Sequence, residues 1–235
     1  MSPSASRGRD TPARPRCRTG VRLSAYAARV DFQSTLFEPP AAADGVGPLD
    51  GLERRELSHG AWIDVRRGWV PAPDDVLGTL VRTVPWRAER RQMYDRLVDV
   101  PRLVYTYMIG EELPHPLLTQ ARDRLSTHYA DELGEPFRTA GCCYYRDGRD
   151  SVAWHGDTIG RGSTHDTMVA IVSLGDPRRL ALRPRGGGAS ISVEMGHGDL
   201  VVMGGSCQRT WEHAVPKVAS AGPRISVQFR PFNVF

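Results

Sequence analysis

Lysine is almost missing from this 235-residue chain: Lys217 stands alone, and arginine supplies the rest of the positive charge. We read that imbalance as codon composition rather than a binding adaptation. Cysteine is also scarce, with Cys17, Cys142, Cys143 and Cys207 only. Adjacent residues such as Cys142 and Cys143 are badly placed to bridge each other or to share a metal, and no C-x-x-C pair exists. A disulfide framework and a structural zinc site are thereby excluded, and the thiols are expected to be reduced. No apolar run approaches the roughly 20 residues of a spanning helix, and the start lacks a signal-like apolar stretch. A cytoplasmic protein without membrane attachment is the expectation.

What is present is ordinary for a globular protein: 40% hydrophobic and 25% charged residues. The length suffices for one substantial core and is short for two, so 31–235 is expected to form a single domain. Residues 1–30 carry seven arginines against one aspartate, leaving the remainder slightly acidic despite a net charge of +4. Built mostly from Ser, Pro, Arg, Gly and Ala, this stretch cannot bury enough apolar surface to order itself, and a flexible basic arm is predicted. Such an arm is either a solvated tail, the simpler reading, or a non-specific attractor of phosphate backbones.

Beyond a turn-rich lead, 61–65 has the β-branched and aromatic character of a strand. From Asp74, the spacing of Val76, Leu77, Leu80, Val81 and Val84 is helical until Pro85. A second helix is predicted over 117–133. After Pro136 the texture changes to short strand-like runs at 137–145, 168–174, 180–183, 189–193, 200–203 and 225–229, separated by Gly and Pro clusters. Many short strands at this spacing predict a mainly β fold with flanking helices (α+β) and a jelly-roll core over about 137–231.

Within that region lies Trp154-His155-Gly156-Asp157. Side chains two apart on a strand point the same way, so His155 and Asp157 are predicted to converge on one ion. His213, at the end of another predicted strand, would complete a two-histidine, one-carboxylate facial triad, which suits Fe(II) and leaves coordination positions open. On its own this pattern is weak, since His59, His115, His128, His165 and His197 show how easily a histidine is found. Arg224-Ile225-Ser226-Val227-Gln228-Phe229-Arg230 adds to it. Its two arginines share a strand face about 20 Å apart along the backbone, and long stems leaning together could clamp a dicarboxylate. The plainer alternative is an amphipathic strand with solvated arginines.

Taken together, Tyr145-Arg146-Asp147-Gly148, His155-Gly156-Asp157, Trp211-Glu212-His213-Ala214-Val215-Pro216-Lys217 and the segment from Arg224 to Arg230 resemble the AlkB family of oxidative nucleic-acid demethylases. The segments from Val169 to Gly175 and from His197 to Leu200 are similar to its strand patterns, and Pro101-Arg102-Leu103 resembles the entry to its substrate lid. The likeness covers about 60–231. It implies a double-stranded β-helix, iron held by His155, Asp157 and His213, and the distal carboxylate of 2-oxoglutarate on Arg224, with Arg230 and Tyr145 completing that pocket. Cys143 and Ser226 belong to the pocket too, at positions where relatives often carry asparagine, a stronger hydrogen-bonding group than Cys143. Ile159-Gly160-Arg161 departs from the acid that relatives often place just beyond the metal aspartate.

The implied reaction uses Fe(II), 2-oxoglutarate and O2. It yields succinate and CO2 while hydroxylating an N-methyl group, whose adduct then breaks down to formaldehyde and repaired base. The implied partner is nucleic acid, single-stranded or with a flipped base, because a base inside a duplex is out of reach. Tyr105 and Tyr107, with Trp154, are the candidates for stacking it, and a monomer is expected. Two alternatives stay open: a 2-oxoglutarate oxygenase acting on a small molecule or protein, and a jelly-roll binding module without catalysis.

Overall fold

The computed structural model describes residues 45–93 and 96–235. Helix α1 (Pro73–Thr83) starts where Pro73 fixes φ at a position needing no N–H, with Asp74 and Asp75 favouring the positive end of the helix dipole. It buries Val76 and Leu80 and stops before Pro85. Helix α2 (Pro116–His128) is capped by His115, whose Nδ1 accepts from the Leu117 N–H at 3.1 Å. The single helix predicted over 117–133 is broken. Tyr129 leaves helical geometry, with ψ at 14°, and the chain resumes as α3 (Ala130–Leu133), which Gly134 ends in the left-handed region. At the break the Tyr129 side chain is buried, and its hydroxyl donates to Asp64 Oδ2 at 2.8 Å.

Twelve strands lie among the described residues: β1 (Glu53–Glu56), β2 (Ala61–Arg66), β3 (Arg87–Met93), β4 (Arg96–Tyr107), β5 (Thr139–Tyr145), β6 (Val152–His155), β7 (Val169–Gly175), β8 (Arg178–Pro184), β9 (Ile191–Met195), β10 (Leu200–Gly205), β11 (Trp211–Val215) and β12 (Arg224–Arg230). An eight-stranded sheet runs β1-β2-β10-β7-β12-β5-β4-β3, and a four-stranded sheet runs β6-β11-β8-β9. Every named pairing is antiparallel. The six runs predicted after Pro136 all become strands, shifted by up to a few residues at their ends. The β3–β4 hairpin was not predicted, because arginine-rich 87–102 shows no clean alternation of polar and apolar residues.

The pleat sorts side chains between two cores. On β12, Ile225, Val227 and Phe229 are fully buried with α1 and α2 on the outer face of the large sheet, whereas Arg224, Ser226 and Gln228 turn towards the small sheet. Each of those apolar side chains contributes roughly 1.5–3 kcal/mol by leaving water. The second core fills the gap between the sheets, with Val169, Ile171, Val201 and Met203 from one side and Leu180, Leu182, Met195 and Trp211 from the other. This is the mainly β, helix-flanked jelly roll expected. The inward faces of β5, β6, β11 and β12 form one end of the sandwich, where polar side chains replace apolar ones.

Candidate metal centre

His155 closes β6 and His213 occupies the middle of β11, directly opposite it in the ladder. Their rings lie 4.2 Å apart between centroids. Asp157 is not on the strand: β6 ends at His155, so strand alternation does not bring the carboxylate round. Gly156 lies between the two ligands, at a point where a Cβ would stand 2.4 Å from the main-chain oxygen of Gln208, so only glycine lets the chain pass this close. His213 likewise lies within its strand rather than at its end. One ligand atom from each of His155, Asp157 and His213 falls within 4.8 Å of the other two.

Hydrogen bonds prepare these atoms for a metal. His155 Nδ1 lies 2.8 Å from the Ala153 carbonyl, which can only accept, so Nδ1 carries the proton and Nε2 offers its lone pair. That Nε2 is 3.8 Å from Asp157 Oδ1. The other carboxylate oxygen, Oδ2, accepts from Arg230 Nε at 2.7 Å, and the Asp157 N–H donates to Gln208 Oε1 at 2.9 Å. Burial, reinforced by the neighbouring His155, pulls His213 down to about 3, and burial also lowers His155. Burial alone would raise Asp157, but Arg230 and His213 outweigh it and hold the carboxyl at about 2. Two neutral imidazoles and one carboxylate are thus present at neutral pH, the state that binds a metal without first shedding protons.

Beside this cluster, a cavity between the sheets is lined by Tyr145, Cys143, Ser226, Arg224 and Arg230, the residues that the resemblance assigns to the co-substrate. Arg224 is 2% exposed; its Nε donates to Ser173 Oγ at 3.0 Å, and its guanidinium lies 5.1 Å from the Tyr145 ring centroid. Its Nη1 is buried and has no hydrogen-bond partner. Burial pulls the Arg224 pKa down and pushes that of Tyr145 up. A buried guanidinium with a free donor and no carboxylate beside it is costly unless an anion completes it. The donor set therefore fits Fe(II), and the orphaned Nη1 fits a carboxylate of 2-oxoglutarate. Arg230 shares the cavity, but its Nε is committed to Asp157, so the two arginines do not form a symmetrical clamp.

The aromatic candidates require correction. Tyr107 is buried in the helix-side core and Tyr105 packs against it, their rings edge to face at 4.8 Å. On β4 they share the face opposite Arg102, so they point away from the cavity and are not a stacking platform in this structure. Trp154 does not line the cavity either; it lies under the Arg183 guanidinium, 4.3 Å from its ring centroid. Ile159 is exposed, and its main chain pairs with Phe235.

Arg102 was expected only at the entry to a substrate lid; the structure brings it into the cavity, where it donates to Cys143 Sγ at 3.4 Å and to the Ser151 carbonyl at 3.2 Å. Its odd offset from Tyr105 and Tyr107 was the available signal, because only one of the two sets can face the metal. Gln208 and Ser173 were missed. Nothing in their local sequence marks them.

Residues 82–230 match the 2OG-Fe(II) oxygenase superfamily. The chain is 31% identical over 181 residues to Alpha-ketoglutarate-dependent dioxygenase alkB homolog 3 of Bos taurus, covering 67% of this chain and 60% of that protein. With the Homo sapiens protein of the same name, identity is 30% over 204 residues, covering 77% and 66%. The chain thus spans less than two thirds of the length of these relatives. Among solved structures, a prolyl hydroxylase from Trichoplax adhaerens in complex with a hypoxia inducible factor oxygen degradation domain peptide fragment aligns with a TM-score of 0.53. The alignment has 10% identity and covers 72% of this chain and 83% of that one, a likeness of fold. With the superfamily matched over most of the chain and a His-Asp-His centre beside a carboxylate-seeking arginine, this chain belongs to the AlkB family of Fe(II)- and 2-oxoglutarate-dependent dioxygenases.

Proposed function

We propose that this dioxygenase oxidatively demethylates N-alkylated bases in nucleic acid, releasing formaldehyde, succinate and CO2. The observation that carries the reading is the coincidence, in one cavity, of the His155–Asp157–His213 cluster and the unpaired buried donor of Arg224. The likeness to alkB homolog 3 proteins supports the choice of substrate.

In this reading His155, Asp157 and His213 hold Fe(II), and three protein ligands leave the remaining positions open to small molecules. The bound iron, with 2-oxoglutarate and O2, supplies the oxidising power: the oxo acid loses CO2 to become succinate, and one oxygen atom enters a C–H bond of the N-methyl group. The resulting hydroxymethyl group leaves as formaldehyde, and the nitrogen regains a proton. Arg224 anchors the distal carboxylate of the oxo acid, drawing it into a wall that otherwise leaves a donor unsatisfied. Tyr145 and Ser226 flank that anchor. Arg230 fixes the Asp157 carboxylate, so that Oδ1 faces His155 while Oδ2 is occupied. The apolar walls from Ile171, Leu180 and Val201 keep bulk water from the carboxylate-binding end.

A second reading keeps all of this chemistry and changes the substrate to a small molecule or protein. It is favoured by the placement of Tyr105, Tyr107 and Trp154, none of which faces the cavity to stack a base. The two separate on a panel of methylated single- and double-stranded oligonucleotides, with formaldehyde and succinate both quantified. Equimolar formaldehyde and succinate on a methylated strand is the expected result. Succinate without formaldehyde on every oligonucleotide would transfer the assignment to the second reading. The basic stretch 1–30, read above as an arm, lies outside the described residues.

A further inference from the structure

Asp157 is a ligand that no strand holds, and Gln208 is the residue that compensates. Gln208 sits in the short helical turn α4 (Cys207–Thr210), three residues before β11 delivers His213. Its side chain is 1% exposed; its Oε1 accepts the Asp157 N–H at 2.9 Å, and its main-chain carbonyl abuts Gly156. One residue thus ties the loop carrying the carboxylate ligand to the segment carrying the second histidine. Gln208 Nε2, by contrast, is buried and has no hydrogen-bond partner. An orphaned amide donor is costly and rare in a settled core, and it is tolerated here beside an Oε1 that the Asp157 N–H requires. A carboxamide here is best explained by the metal site.

We propose that Gln208 is a positioning residue for the metal centre: through the Asp157 main chain it fixes the bearing of the carboxylate ligand, and its spare Nε2 donor gains a partner only when the site is filled. The inference rests on the metal reading of His155, Asp157 and His213. Two orienting contacts then act on one aspartate from different parts of the chain. Arg230, on β12, holds a carboxylate oxygen, and Gln208, ahead of β11, holds the backbone. Since the β6 ladder ends at His155, no strand pairing among the described residues fixes the Asp157 main chain, and the Gln208 acceptor takes over that task. Partners of this kind behind a metal ligand commonly change metal affinity by about 10- to 100-fold when removed.

The test titrates the full chain with Co(II), used as an Fe(II) stand-in whose absorption bands report coordination geometry, and records thermal midpoints of the metal-free proteins. Gln208→Leu removes both the acceptor and the orphan. It should leave the metal-free midpoint within a few degrees of wild type while weakening Co(II) about 10- to 100-fold and altering its bands. Gln208→Glu keeps an acceptor for the Asp157 N–H but loses the donor; it should retain most Co(II) affinity yet give a perturbed spectrum. Should the leucine variant fail to fold, the glutamate variant alone decides, through that spectrum. Unchanged Co(II) affinity and bands in both variants, with wild type binding normally, would overturn the role of Gln208. No Co(II) binding by wild type would instead bring down the metal reading and this inference with it.

Discussion

Asp157 shows how much a single side chain depends on its surroundings. It is buried, ionised well below the usual carboxylate range, and gripped at both backbone and carboxylate. Substituting alanine for His155, Asp157 or His213 is expected to abolish succinate formation from 2-oxoglutarate and to reduce Co(II) binding sharply, while circular dichroism stays close to wild type. Full turnover by any one of the three would contradict the centre as drawn. Arg224→Ala should act differently. It removes a charge-assisted partner contributing about 1.5–3 kcal/mol, so the 2-oxoglutarate concentration for half-maximal rate should rise about 10- to 100-fold. Arg224→Lys should recover only part of this, since an ammonium cannot reproduce the guanidinium fork. A half-maximal concentration that does not move would mean the oxo acid binds elsewhere.

Among the elements, α2 and β12 divide the labour between support and chemistry. Helix α2 contributes Leu118, Ala121 and Leu125 to the outer core and nothing to the cavity. Leu125→Ala, at a fully buried position, should therefore cost about 2–5 kcal/mol of stability in denaturant titration. Co(II) affinity measured well below the unfolding transition should stay within about twofold. A tenfold loss of affinity would show that the helix layer and the site are coupled more tightly than their separate cores indicate. Strand β12 does both jobs at once, with odd residues in the outer core and even ones at the cavity, so no register slip of one residue could be tolerated there.

For the whole molecule, the metal-free site ties stability to pH. Folded His213 resists protonation until about 3, whereas the unfolded side chain takes up a proton near 6.5. Below 6.5 the unfolded state binds more protons, so the stability contributed by the neutral, buried imidazole is intact above that pH and drains away as pH falls towards 3. The expected slope is roughly 1 kcal/mol per pH unit from this residue. Asp157 adds to it at lower pH, because its folded value of about 2 lies below the ordinary 3.8. Denaturation midpoints of metal-free protein at pH 7.5, 6 and 5 test this: they should fall steadily, and by less in His213→Asn. A flat profile over that range would show that His213 is already protonated or solvated in the folded chain.

The sequence by itself determined the fold class, because turn clusters and alternating strands after Pro136 leave few architectures. It also determined the identities of the metal cluster and of the arginine strand, because those depend on residue type and order. Faces were legible on β12, where Ile225, Val227 and Phe229 alternate cleanly with polar residues. They were not legible on β4, where Tyr105 and Tyr107 could be read as site or as core, and burial against the helices decided for core. Only the tertiary structure decided that Asp157 leaves its strand, that Arg230 serves Asp157 and that Gln208 braces it. The last two of those facts are contacts between residues 73 and 51 positions apart. Local sequence carries propensity and periodicity over a few residues; which distant donor reaches which acceptor is settled only when sheets pack and every buried polar group must find a partner.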